Sequence, residues 1–381
     1  MAQIMNTPWH SPSEVEKALG QQIQKLLRHI PWIQDINVSD NPAPFHRSFD
    51  WLVAFRVPKG PEVELWIDCR SEPRPAHFPY VSVDREFEEE GQTKRIRVRV
   101  FGAPHLSPRM REICEDHGWS WYDLAGNCRI SVPGVIHLER TGNAPVHHPP
   151  RPAANLGTPE AGRVIRALIA PENADRPVWT QRAIQQETDP HVSLGLVNKV
   201  VQHLREEAFV EESPNGGIRL REPLKLLLAW RDAYRFEQQR RRGYFTLLKG
   251  RELRDSLARL GSQSGGFAQY AAFSAAEFQA PHVRQPKTWL YVREKEVPKF
   301  ESLVEASAVA TGENLVVLIP DDDGVFYMAD GGLTSDHRMA CTNAVQTYVD
   351  LWHAGGRGKE AAEALLERRV KPQWKDKGLK V

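Results

Sequence analysis

The sequence predicts an α+β chain of several domains, and three observations carry that prediction. Its 381 residues exceed what one hydrophobic core usually serves, so two or three domains are expected. Helix-period and strand-period patterns interleave before residue 140 and return after residue 244, as mixed layers require. Between them the stretch 141–157, TGNAPVHHPPRPAANLG, has no periodicity and is rich in proline, which marks a semi-extended linker. The expected divisions are therefore 1–140, the linker 141–157, a small module 158–222, a connecting helix 223–246, and a mixed α/β block 247–381.

Composition narrows the function classes. The chain is 41% hydrophobic and 26% charged with a net charge of +1, so any contact with a polyanion must come from local patches such as Arg240–Arg242. Cys69, Cys114, Cys128 and Cys341 lie far apart, which fits neither a zinc site nor a disulfide framework and suggests a reducing compartment. The start MAQIMNTPWH lacks the basic and apolar regions of an export signal, and no apolar run reaches the roughly 20 residues that span a bilayer. A cytoplasmic protein with no membrane partner, no cofactor and no metal is expected.

In the first block, Ser13 with Glu16 three residues later reads as a capping box. Val15, Ala18, Leu19, Ile23, Leu26, Leu27 and Ile30 then form one helical face. Strands are expected at Trp51–Val57, Val63–Cys69 and Ile96–Phe101, the last alternating Ile96, Val98 and Val100 inward with Arg97 and Arg99 outward. Ser107-Pro108 opens a helix that Gly118 ends, and Trp119 to Val132 is a final strand region. In it, Asp123 and Asn127 flank a glycine and suit either a tight turn or a functional surface.

Residues 178–221 read VWTQRAIQQETDPHVSLGLVNKVVQHLREEAFVEESPNGGIRLR and form a winged helix-turn-helix pattern. Thr158-Pro159 begins the first helix of the module. Thr180 caps a second, and the polar turn 187–191 stops it ahead of Pro190. Ser193 caps a third, whose Leu196, Val197, Val200, Val201 and Leu204 share one face. Its other face carries Gly195, Asn198, Lys199, Gln202 and His203, a reading edge for a major groove. Phe209–Glu212 and Ile218–Arg221 pair as a wing around Ser213–Gly217. The candidate DNA-contacting set is Thr180, Gln181, Arg182, Ser193, Gly195, Asn198, Lys199, Gln202, His203, Arg219 and Arg221.

Beyond the wing, Pro223 opens a long helix ending in the basic run 238–242. Helices are expected over Glu252–Leu260, Lys295–Ala306, Ala344–His353 and Lys359–Arg369, with Phe267–Phe278 a small-residue helix or the approach to one, and strands over Trp289–Arg293 and Asn314–Pro320. Val325–Met328 is expected as the hairpin partner of the last strand, with Asp321, Asp322 and Asp323 at a solvated tip. A nucleotidyltransferase site wants Gly-Ser at a helix start and an Asp-x-Asp shortly after. Gly261-Ser262 is present, but no acidic pair follows it closely, so that pattern is absent.

Two resemblances add to this reading. The order helix, three strands, helix, strand in residues 1–140 resembles restriction-endonuclease-like folds, and SPRMREICEDHG with YDLAGNCRI is similar to a segment of bacterial regulators of this type. The resemblance implies that Asp50, Asp68 and Arg70 stand where nucleases carry an acid and an acid-x-lysine around a divalent metal. Arginine stays protonated and cannot act as a base, so a domain that does not cleave is expected, a metal-dependent nuclease being the alternative. Over residues 158–381 the segments LLLAWRDAY, YAAFSAAEF, WLYV, LVVLIPDDDGVFY and NAVQTYVDLWHAGGRGKEAAEAL are similar to AbiEi-type antitoxins of type IV toxin–antitoxin systems. That resemblance implies a DNA-binding regulator that represses its own operon from inverted repeats in double-stranded DNA. It further implies a nucleotidyltransferase-like toxin as partner, and a homodimer is expected because paired half-sites reward two-fold symmetry. The 140-residue front domain is a departure from the family pattern.

Overall fold

The computed structural model describes residues 11–40, 49–80, 87–90, 93–146, 152–330 and 339–379. It divides into two compact units, Met1–Arg151 and Pro152–Val381. The fold is α+β throughout, with several sheets. His147 and His148 lie outside the described residues. Among those described, no helix is long and apolar enough to cross a membrane, and all four cysteines are buried and unpaired.

The first unit runs α1 (Pro12–Arg28), β1 (Gln34–Asp40), β2 (Trp51–Arg56), β3 (Glu62–Cys69), β4 (Phe87–Glu90), β5 (Thr93–Ala103), α2 (Pro108–Asp116), β6 (Ser120–Asp123), β7 (Cys128–Val132) and β8 (Ile136–Arg140). Its eight-stranded sheet has the order β1-β2-β3-β5-β6-β7-β8, with β4 paired to β5. The centre is parallel, β3 to β5 to β6, and the flanking pairs are antiparallel. Because side chains alternate along a strand, successive residues serve opposite faces. Val100 and Tyr122 pack with Leu19 and Ile23 of α1, while Phe101 and Trp121 pack with Met110 and Ile113 of α2. Gly20 permits the approach of α1 to the sheet: a Cβ there would sit 2.5 Å from the Trp51 ring.

Three expectations for this unit are corrected or resolved. The α1 cap is Ser11, whose hydroxyl accepts the Glu14 N–H at 3.3 Å, because Pro12 holds the first helical position ahead of Ser13. The region Trp119–Val132 is two strands. The buried Asp123 and Asn127 make the turn between them: Asp123 carboxylate oxygens accept the Asn127 backbone N–H at 2.9 Å and its Nδ2 at 2.8 Å. β1 and β8 are additional strands at the sheet edges; each is short of apolar residues, with only Ile36 and Val38, and Ile136 and Leu138, alternating toward the core.

The second unit begins with α3 (Pro159–Ile169), α4 (Gln181–Glu187), α5 (Leu194–Glu206), β9 (Val210–Glu212), β10 (Ile218–Leu220) and α6 (Pro223–Ala233). It continues with β11 (Arg240–Phe245), α7 (Gly250–Gln263), β12 (Ala268–Tyr270), α8 (Ala272–Gln279), β13 (Thr288–Val292), α9 (Val297–Leu303), β14 (Ser307–Ala308), β15 (Leu315–Ile319), α10 (Ala344–His353), α11 (Gly358–Leu365) and α12 (Lys371–Asp376). Hydroxyls of Thr158, Thr180 and Ser193 cap α3, α4 and α5, as each Ser/Thr before an apolar run predicts. The β9–β10 hairpin is joined by Trp179, which bridges to Ile218.

The sheet of this unit has the order β12-β13-β15-β11-β14, β13 and β15 being parallel. Here the structure corrects two expectations. The helix after the wing stops at Ala233, and the basic run is instead strand β11, with Arg240 opposite Ile319 and Arg242 opposite Val317. Arg240 is held by Glu294 at 2.8 Å and Arg241 lies 4.9 Å above the Trp289 ring, although both side chains remain exposed. Val325–Met328 is not a strand: Asp323–Phe326 forms a 3₁₀ turn, because β15 already has β13 and β11 on its two edges.

Of the three aspartates only Asp321 is exposed as a solvated tip requires; the other two are engaged. Asp322 is 6% exposed and takes Arg163 of α3, with Nε at 2.7 Å, while Arg166 Nη1 lies 3.8 Å away. Asp323 accepts from Arg293 Nε at 3.0 Å. Arg166 continues inward to Gln346 at 2.6 Å, and Gln346, Tyr234 and Tyr291 all donate to Asp350 within 3.1 Å. Trp374 of α12 donates to the Ile169 carbonyl at 3.0 Å. One hydrophobic core runs from Val164 and Leu204 through Leu227 to Val345 and Trp374, so helices α3 to α6 and the following α/β block are built on shared packing.

Candidate nucleic-acid interface

The site is assembled by the α4–turn–α5 pair and the β9–β10 wing. Thr188 makes the turn. Its hydroxyl donates to the Gln185 carbonyl at 2.9 Å and accepts the Val192 N–H at 3.2 Å, which stops α4 and aims the chain into α5. Val197, Val200, Val201 and Leu204 then bury one side of α5. This leaves Gly195, Asn198, Lys199 and Gln202, at offsets of three, four and seven, on an exposed edge.

His203 does not belong to that edge. It is 8% exposed, and burial pushes its imidazole below the usual histidine range, favouring the neutral ring. The reason is helical geometry: His203 lies three residues after Val200 and seven after Leu196, which turns it onto the flank of the packed stripe.

The other expected contacts divide by how they are committed. Thr180 and Ser193 are exposed, and their hydroxyls cap helices, accepting the Ala183 N–H at 3.1 Å and the Leu196 N–H at 3.3 Å. Gln181 Nε2 donates to Asn198 Oδ1 at 2.9 Å, and Gln202 donates to Glu206 at 3.1 Å. Arg182 on α4, Lys199 on α5 and Arg219 on β10 are exposed, and each has no ion-pair partner among the described residues. Arg221 is half-buried; with Arg219 it lines a cleft of about 890 Å³ bounded also by Lys225 and Lys377. Arg205, which the sequence did not single out, is drawn to Glu212 at 3.5 Å. The carboxylates Glu206, Glu207, Glu211 and Glu212 gather at the far end of α5 and the wing base, so its first two turns carry none.

Asp50, Asp68 and Arg70 are in the first unit. Asp50 accepts the Cys69 backbone N–H at 2.7 Å, and Asp68 is gripped by both arms of Arg70, at 2.8 and 3.0 Å. Burial raises the Asp68 carboxyl above its usual range despite Arg70, and Glu16 of α1 is raised by burial and by Asp50. Among the described residues no group of three or more His, Cys, Asp and Glu is arranged to hold a metal ion.

Comparison with family models, with curated proteins and with solved structures found no match.

Proposed function

We propose that the chain is a sequence-specific regulator that binds double-stranded DNA, with α5 in the major groove. The observation that carries this reading is the exposed edge of α5, whose first two turns carry Lys199 and no carboxylate, together with two further cations, Arg182 and Arg219, that have no ion-pair partner among the described residues. An exposed cation with no internal counter-ion is free to displace condensed counterions from a phosphate backbone, while amides at Asn198 and Gln202 present donors and acceptors to base edges. In this reading His203 holds α5 in place and touches no base.

The similarity of residues 158–381 to AbiEi-type antitoxins supports a narrower form of the proposal: an autorepressor and antitoxin that binds inverted repeats as a homodimer and is paired with a nucleotidyltransferase-like toxin. The test is a fluorescence-anisotropy titration of the full chain against the DNA upstream of its own coding sequence. Asn198→Ala together with Lys199→Ala should abolish the preference for that DNA over a scrambled duplex. Unchanged preference would overturn the assignment of α5. Co-expression with the adjacent open reading frame tests the antitoxin role, neutralised toxicity being the expected result.

A further inference from the structure

Building on the DNA-binding reading, we propose that the amino end of α5 reads one A·T base pair, Leu194 resting on the thymine 5-methyl and Asn198, steadied by Gln181, meeting the adenine edge. Leu194 is 44% exposed, one of five large apolar side chains exposed among the described residues. It sits directly after the cap Ser193 and four residues before Asn198, so the two are neighbours on the helix surface, roughly 5–6 Å apart at Cβ. In the major groove an A·T pair presents, side by side, the N7 acceptor and N6 donor of adenine and then the O4 and methyl of thymine. An apolar side chain beside an amide matches that row.

The amide is set in advance. Asn198 Oδ1 is taken by Gln181 Nε2 at 2.9 Å, which leaves the Asn198 Nδ2 hydrogens to donate to N7 and the Gln181 Oε1 to accept from N6. Holding the pair in one geometry removes side-chain freedom before binding rather than at it.

Gly195 completes the surface. Its backbone is not left-handed, and a Cβ built on it meets nothing within 4 Å, so the fold itself has no use for glycine at this position of a helix. Glycine is a poor helix former, and its presence beside Leu194 is accounted for by the close approach of a partner backbone. Lys199, one turn on, and Arg182 and Arg219 at the sides supply the charge complementarity that makes that partner a nucleic acid.

The experiment selects binding sites for the full chain from a random double-stranded pool, then measures affinity for the enriched site with single-atom changes in the DNA. Replacing the contacted thymine by deoxyuridine removes one methyl and should weaken the wild type roughly fourfold, while Leu194→Ala is indifferent to the change. Replacing adenine by 7-deazaadenine should weaken the wild type roughly tenfold and leave Asn198→Ala unaffected. Gly195→Ala should lower affinity while thermal stability holds or rises, a pair of signs that a merely structural glycine would not produce. Leu194 is exposed, so its variant keeps the wild-type melting curve. If a site is enriched but every thymine-to-uracil change affects wild type and Leu194→Ala alike, the base-pair assignment falls and DNA binding stands. If no sequence is enriched, the DNA-binding reading fails and takes this inference with it.

Discussion

Removing the Asp322 carboxylate, by Asp322→Ala, should destabilise the unit Pro152–Val381 by about 3 kcal/mol. Asp322 holds Arg163 and neutralises Arg166, which is 2% exposed. Removing one partner of a buried pair leaves an uncompensated charge and costs about 3–5 kcal/mol. The lower figure applies because Arg163 is partly exposed, and because Arg166 retains its bond to Gln346 and its place 5.2 Å above the Trp230 ring. For a unit of this size that loss corresponds to a fall in Tm of roughly 6–12 °C. Urea denaturation followed by tryptophan fluorescence gives the free energy, and a cycle with Arg166→Met separates its causes. The double variant should be more stable than Asp322→Ala alone, since the stranded charge is gone. A loss below about 1 kcal/mol, or a double variant as weak as the sum of the two singles, would refute the argument that this pair locks α3 to the block behind it.

The remaining predictions are more local. Burial raises the Asp350 carboxyl to about 7, so the folded state binds a proton that the unfolded chain releases near 4. Stability of the second unit should therefore fall as pH rises from about 4 to about 7 and level off above; Asp350→Asn should flatten this slope, and an unchanged slope in Tm against pH would count against it. Arg219→Ala should weaken binding to all duplexes about equally and lower the slope of log K against log salt by about 1; a change confined to one sequence would instead make Arg219 a base reader. With Arg70 occupying both oxygens of Asp68, magnesium-supplemented wild type is expected to leave supercoiled plasmid intact, and cleavage abolished by Asp50→Ala or Asp68→Ala would reverse that view. Arg70→Ala should lower the Tm of the first unit, because it strands a buried carboxylate.

What is legible in the sequence is what neighbours along the chain decide. Hydroxyls before apolar runs mark the starts of α2, α3, α4, α5 and the wing follows from two short runs around a glycine turn, because capping and turn formation need only residues a few positions apart. The exposed edge of α5 is readable for the same reason, as a helix repeats every 3.6 residues whatever surrounds it. His203 marks the limit: a polar residue on the border between two faces is assigned by what packs there, and the neighbours of α5 bury it. Partners distant in sequence decide the rest. Arg240–Arg242 reads as the end of a basic helix until β15, some eighty residues on, pairs with it, and Asp322 reads as a hairpin tip until α3 brings Arg163 and Arg166 to it. Strand pairing and burial of charge are contacts between elements; their free energy depends on which surfaces meet, and a one-dimensional pattern does not contain that choice.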